Sequence, residues 1–168
     1  MLFRSLQDKP DATTRVYVTN LNGLQLDARG GKFDTVCRTI REIQADVFCA
    51  QEHNVDITQA PLRNILFDTA KQHWERHRLV IGTTPIPFKT PFKPGGTLVL
   101  TTGSLTGRIC TQIRDKWGRW VGQEYMCQGG QKLVILSAYQ PIVKGGLTGK
   151  ITVAAQHLSL LVASNDKT

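Results

Sequence analysis

The sequence predicts a layered α/β (α+β) domain on three observations: a strand-helix-strand opening, a later succession of short β-rich runs, and a length of 168 residues, about one domain. With 40% apolar and 20% charged residues, and 15 Gly against 7 Pro, the composition is that of a folded protein and excludes collagen, mucin and coiled coil. A chain of this size buries about 68–70% of its unfolded surface, so its core holds without disulfide or metal staples. Residues 1–14 read as a polar lead-in and 15–168 as one domain, with no internal repeat and no linker.

The run Arg15-Val-Tyr-Val-Thr19 alternates and is β-branched, which predicts a first strand, and Asn20-Leu-Asn-Gly23 breaks it. Over 32–45, Phe33, Val36, Cys37, Ile40 and Ile43 recur at helical spacing, with Lys32, Arg38, Arg41 and Glu42 on the other side, so this is an amphipathic helix. The wholly apolar Val47-Phe-Cys-Ala50 suits a strand covered on both faces, and it stops at Gln51-Glu52-His53-Asn54. A weaker helix is expected over 60–74, then a strand at Arg78-Leu-Val-Ile81. Pro85, Pro87, Pro91 and Pro94 make 84–94 an exposed loop. Residues 95–101, 119–125 and 132–139 read as three further strands, the last two joined by a Gln128-Gly-Gly-Gln131 turn, and 145–163 as a loop and a final helix.

Lys and Arg total 21 against 13 Asp and Glu, a net charge of +8, which favours polyanionic partners such as nucleic acid. Basic residues gather as Lys71, Arg76, Arg78, Lys89 and Lys93, and again as Arg108, Arg114, Lys116 and Arg119, the second group flanked by Trp117 and Trp120. Interleaved cations and aromatics either grip phosphate and stack on bases or form a solvated face over core tryptophans. Cys37, Cys49, Cys110 and Cys127 are widely spaced, lack a CxxC pair and lie in apolar runs, as free buried thiols do, which points to a reducing, intracellular compartment. No stretch reaches the ~18 uninterrupted apolar residues of a membrane span.

Three strand ends carry the polar residues that chemistry needs: Asn20 and Asn22, then Gln51 and Glu52, then Tyr139 with Gln140 and Pro141. A carboxylate among amide oxygens is a hard-ligand set suited to Mg²⁺, which keeps several waters and needs only one or two protein carboxylates, so Glu52 leads the metal candidates. Each residue has a plainer reading as well. Asn-x-Asn-Gly is a common turn, Glu52 caps the following segment equally well, and Tyr139 fits a strand-end aromatic.

The motifs Thr19-Asn20-Leu-Asn-Gly-Leu24, Ala45-Asp-Val-Phe-Cys-Ala-Gln-Glu52, Gly118-Arg119 and Ser137-Ala-Tyr139-Gln-Pro141, in this order, resemble the N-terminal motifs of the endonuclease/exonuclease/phosphatase superfamily. Within it, the Asn-x-Asn-Gly-Leu opening and the basic charge look most like the apurinic-type endonuclease domains of LINE-type retrotransposons, and the resemblance covers residues 15–141. It implies a Mg²⁺-dependent hydrolase of DNA phosphodiesters: Glu52 ligating the metal with Asn22 near it, Asn20 beside the phosphate orienting water, Tyr139 bonding a phosphate oxygen, and Arg119 before its strand. A phosphatase of the same superfamily and a non-catalytic nucleic-acid-binding remnant are the alternatives, and a retrotransposon would carry a reverse-transcriptase region downstream.

The family's later Gly-Asp-x-Asn and Ser-Asp-His motifs are not found in these 168 residues: Asp166 lies in Ser-Asn-Asp-Lys, and His157 reads as a helix histidine. The resemblance therefore implies an incomplete four-layer sandwich lacking its C-terminal strands. Such a chain would be marginal in stability, because open sheet edges and apolar faces remain, and would show little nuclease activity alone.

Overall fold

The computed structural model describes residues 9–85 and 93–139. Expectations for 1–8, for 86–92 with Lys89, and for 140–168 with Gln140, Pro141, His157, Asp166 and the final helix lie outside the described residues. The elements run β1 (Val16–Asn20), α1 (Lys32–Glu42), β2 (Val47–Gln51), α2 (Ala60–His73), β3 (His77–Gly82), β4 (Thr97–Thr102), a 3-10 turn (Gly103–Arg108), β5 (Ile109–Arg114), β6 (Trp120–Met126), a second 3-10 turn (Gln128–Gly130) and β7 (Lys132–Ala138).

Two sheets form, with orders β1-β2-β4-β3 and β5-β6-β7. β2 pairs parallel to β1 and antiparallel to β4, because the helical crossover through α1 returns the chain in the same direction. Side-chain alternation then builds two cores on the two faces of one sheet. Phe48, Ala50, Leu79, Ile81, Leu98 and Leu100 face the helices and pack with Phe33, Cys37 and Ile40 of α1 and Leu66 and Ala70 of α2. Val47, Cys49, Val80 and Val99 face the other way and meet Val121 and Tyr125 of the second sheet. Among the described residues the domain is thus a mixed α+β fold of three layers: helices, four-stranded sheet, three-stranded sheet.

A polar clamp crosses the sheet-on-sheet core. Thr101 donates to Gln123 Oε1, Tyr125 Oη donates to the same oxygen at 2.8 Å, and Gln123 Nε2 donates to the Arg78 carbonyl at 3.2 Å. Buried polar groups satisfied in this way hold two apolar sheets in a single register, because a slip strands each of them.

The structure departs from the sequence expectations in several places. Strand β5 is absent from them: Ile109-Cys-Thr-Gln-Ile-Arg114 is exposed at four of its six positions, so it carries no apolar period and its strand state comes from pairing with β6. Helix α1 stops at Glu42, three residues short of the periodic stretch, where Gln44 enters the left-handed region at φ 51°. Cys37 and Cys49 are buried free thiols, as expected, but Cys110 is exposed and Cys127 half-buried. Lys93 belongs to no basic surface; it is fully buried and paired with Asp56 at 3.1 Å. Among the described residues β1 is an edge strand, and Val16 and Val18 are 44% and 59% exposed. No helix among the described residues is long and apolar enough to cross a membrane.

Candidate active site

The C-terminal ends of β1 and β2 lie side by side, since the parallel register puts Asn20 opposite Gln51. The two loops that follow stay zipped together: Leu21 N–H donates to the Gln51 carbonyl at 2.9 Å, Gly23 to Glu52 at 2.7 Å and Leu24 to His53 at 2.8 Å. On its other side the same segment pairs with the approach to β4, where Glu52 N–H donates to Gly96 O at 2.8 Å and Asn54 N–H to Gly95 O at 2.9 Å. Asn54 Oδ1 accepts from Gly95 N–H at 2.7 Å. Held from both flanks, Glu52 and Asn54 adopt left-handed backbone angles, φ 54° and 55°. Each costs about 1–2 kcal/mol for a residue with a Cβ, a strain that concentrates at functional sites.

His53 sits between them, fully buried. Its Nδ1 accepts from Val55 N–H at 3.1 Å, so the proton is on Nε2, which donates to the Gly82 carbonyl at 2.9 Å. Burial holds its pKa down to about 4. The ring packs against Gly96, where a Cβ would overlap it and where φ is +84°. His53 is therefore a neutral strut that fixes the backbone on which Glu52 stands. The polar run Gln51-Glu52-His53-Asn54 was legible in the sequence, but the strut was not, because its partners Gly82 and Gly96 are distant in the chain.

The third strand end arrives from the second sheet. Ser137 Oγ donates to the Ala50 carbonyl at 2.8 Å and accepts from Gln51 Nε2 at 3.2 Å, stitching the β7 end to the β2 end. Two residues on, Tyr139 N–H donates to the Arg119 carbonyl at 2.7 Å. The Tyr139 ring packs against Gly95, next to the Gly96 whose carbonyl Glu52 N–H bonds, and its pKa is raised by burial and by the nearby Glu52 carboxylate.

Asn20 and Asn22 sit on the adjoining loop. Asn20 Oδ1 accepts from Asn22 N–H at 2.8 Å, so the turn reading of Asn-x-Asn-Gly holds locally, and Asn22 takes a φ of 47°. Both side chains are exposed. The predicted strand ends therefore meet, with one acid and one phenol near each other, Asn20 at the neighbouring end of β1 and Asn22 on the loop that follows. No group of three or more His, Cys, Asp or Glu placed to hold a metal occurs among the described residues. The available donors are Glu52 and amide oxygens, a set that matches a cation retaining most of its waters.

Beside Tyr139 opens a cleft of about 470 Å³ lined by Thr84, Pro94, Gly95, Gly96, Trp117, Gly118, Arg119 and Tyr139. Its far wall is the β5–β6 hairpin. Asp115 N–H donates to Trp120 O and Gly118 N–H to Asp115 O, both at 3.0 Å, and Arg119 Nε bonds Asp115 Oδ2 at 2.9 Å. The predicted cations do not form one patch. Arg119 and Lys116 belong to this hairpin and Arg114 ends β5, but Arg108 lies at the opposite end of β5, about 20 Å away at the usual strand rise. Trp120 points to the outer face of β6 with Gly122 and Glu124, whereas Trp117 stands at the cleft.

No protein-family model matches the sequence, and no curated protein is similar to it. Among solved structures, the fold is similar to that of an endonuclease/exonuclease/phosphatase family protein from Leptotrichia buccalis C-1013-b, with a TM-score of 0.56 and 17% identity over 86% of this chain. The chain spans 63% of the length of that protein. At this identity the likeness is one of architecture: the chain has an endonuclease/exonuclease/phosphatase-type fold.

Proposed function

We propose that the Glu52–Tyr139 strand-end cluster is the cation- and phosphate-binding part of a site for Mg²⁺-dependent hydrolysis of DNA phosphodiesters. The observation that carries this is the convergence of a carboxylate, held on a strained strand end, with a phenol delivered from the other sheet beside Gly95 and Gly96. Glu52 would hold Mg²⁺, with Asn22 supplying a further oxygen, and the cation would offset charge developing on the phosphate. An ordinary phenol already keeps its proton at neutral pH and Tyr139 is shifted further in that direction, so it acts as a donor to a phosphate oxygen and not as a base. Asn20 offers its amide beside the phosphate and orients water. The net charge of +8 and the Asn-x-Asn-Gly-Leu opening support DNA as the substrate, in the manner of apurinic-type domains of LINE-type retrotransposons.

The described histidines supply no general base at this cluster: His53 commits both nitrogens, His73 bonds Asp34 at 2.7 Å, and His77 Nδ1 bonds the Trp74 carbonyl at 3.0 Å. A positioned acid or base contributes about 10²–10⁴-fold, so hydrolysis resting on the described residues alone is expected to be slow. Binding is the sharper readout. In fluorescence anisotropy with a short labelled duplex, Mg²⁺ in place of EDTA is expected to tighten binding to the wild type and to have no such effect on Glu52→Gln. An identical response in both proteins would contradict the proposal. The second reading, a non-catalytic nucleic-acid-binding module, is favoured by those committed histidines, and it predicts DNA binding that ignores both the cation and Glu52.

A further inference from the structure

We propose that Trp117 is a stacking platform for an unstacked nucleobase, so that the site accepts single-stranded or locally opened DNA in preference to intact duplex. The inference rests on the phosphodiester reading above and specifies its substrate. Trp117 is 42% exposed and belongs to neither hydrophobic core. An indole left in water forgoes the burial that usually stabilises the fold, so its place here is not explained by packing.

The hairpin that carries it is rigid without it. The Asp115–Arg119 ion pair, the two backbone bonds of Asp115 and the seating of Gly118, at φ +68° against the Thr83 backbone, fix the tip. A pre-set aromatic loses little freedom on binding a flat ligand. Lys116 Nζ lies 5.6 Å from the centre of the Trp117 ring, a cation–π contact that keeps a positive charge beside the indole. The same cleft is walled by Tyr139, which lies near Glu52, and floored by Gly95 and Gly96, which present backbone without side chains. Phosphate chemistry and a π surface therefore share one open cleft. A base inside a duplex has both faces covered and does not reach such a platform, whereas every unpaired base has a free face.

The test is anisotropy with a short labelled oligothymidylate, the same backbone without bases, and a duplex of equal length. Trp117→Ala is expected to weaken oligothymidylate binding about 5- to 150-fold, as loss of one stacked base does. Trp117→Phe should retain most of the affinity, and the base-free backbone and the duplex should be insensitive to both variants. The salt slope should be unchanged in Trp117→Ala and reduced by about one in Lys116→Ala. Equal binding of oligothymidylate and base-free backbone, or an unchanged affinity in Trp117→Ala, would overturn the proposal. If either occurs while the Glu52-dependent Mg²⁺ effect persists, stacking alone falls. If Trp117-dependent binding persists without any Mg²⁺ effect, the hydrolase reading falls and the platform stands.

Discussion

The phenol of Tyr139, at the end of the second sheet, lies near the carboxylate of Glu52, at the end of the first, both beside the Gly95–Gly96 approach to β4. After burial, the nearby Glu52 carboxylate is what raises the phenol's pKa, so the two residues report on one another. Glu52→Gln is expected to lower the Tyr139 pKa back toward the ordinary tyrosine value while burial keeps it somewhat raised, as read by NMR titration of the phenolic carbon. A pKa indifferent to Glu52 would mean that the two side chains do not share a site.

His53 gives the fold an acid-sensitive strut. Its folded pKa of about 4 lies below the ordinary imidazole value of 6.5, so below pH 6.5 the unfolded chain takes up a proton that the folded one refuses. Stability is present in full above 6.5 and falls as pH drops from 6.5 to 4, by about 3 kcal/mol from this group. Urea midpoints measured across that window check this. His53→Gln should start less stable at pH 7 and lose most of the slope.

The buried Asp56–Lys93 pair titrates lower. Burial alone would raise the Asp56 carboxyl, but hydrogen bonds from Thr58, Lys93 and Gln59 outweigh it and leave the pKa at about 2. The stability it contributes is present above about pH 3.9 and is lost as pH falls toward 2. Asp56→Ala leaves the Lys93 ammonium buried without its partner carboxylate and is expected to cost about 3–5 kcal/mol at pH 7. Asp56→Leu combined with Lys93→Met, which removes both charges, should cost less than Asp56→Ala. Denaturant melts of the three proteins decide the order.

Gly96 is irreplaceable on two counts, its positive φ and the His53 ring against it. Gly96→Ala is expected to destabilise by about 2–5 kcal/mol, the sum of left-handed strain and overpacking. The damage should also reach the site, because the Gly96 carbonyl accepts from Glu52 N–H. Weaker cation binding in the folded fraction, measured below the unfolding transition, checks the second part.

Much of this was legible in the chain itself. The alternation in 15–19, the apolar block at 47–50 and the helical spacing from Phe33 onward fix the opening, because both faces of β2 are buried and leave no ambiguity. The strand ends were also legible, since apolar runs stop abruptly at polar clusters. What escaped was whatever depends on distant partners. β5 is exposed at four of its six positions and is a strand because β6 pairs with it. Lys93 reads as one more surface cation until Asp56 is placed beside it. Arg108 and Arg114 look adjacent in a basic stretch, but an extended strand holds them apart.

The central claim is that Glu52 binds a divalent cation. Mn²⁺ is a spectroscopic stand-in for Mg²⁺, and its titration by electron paramagnetic resonance in the presence of inorganic phosphate tests this directly. The wild type should bind Mn²⁺ saturably, and Glu52→Gln should weaken that binding by at least the roughly 10- to 100-fold that loss of even a supporting residue costs. Tyr139→Phe should keep the ion and lose part of the phosphate enhancement. Mn²⁺ binding of equal strength in wild type and Glu52→Gln would contradict the account.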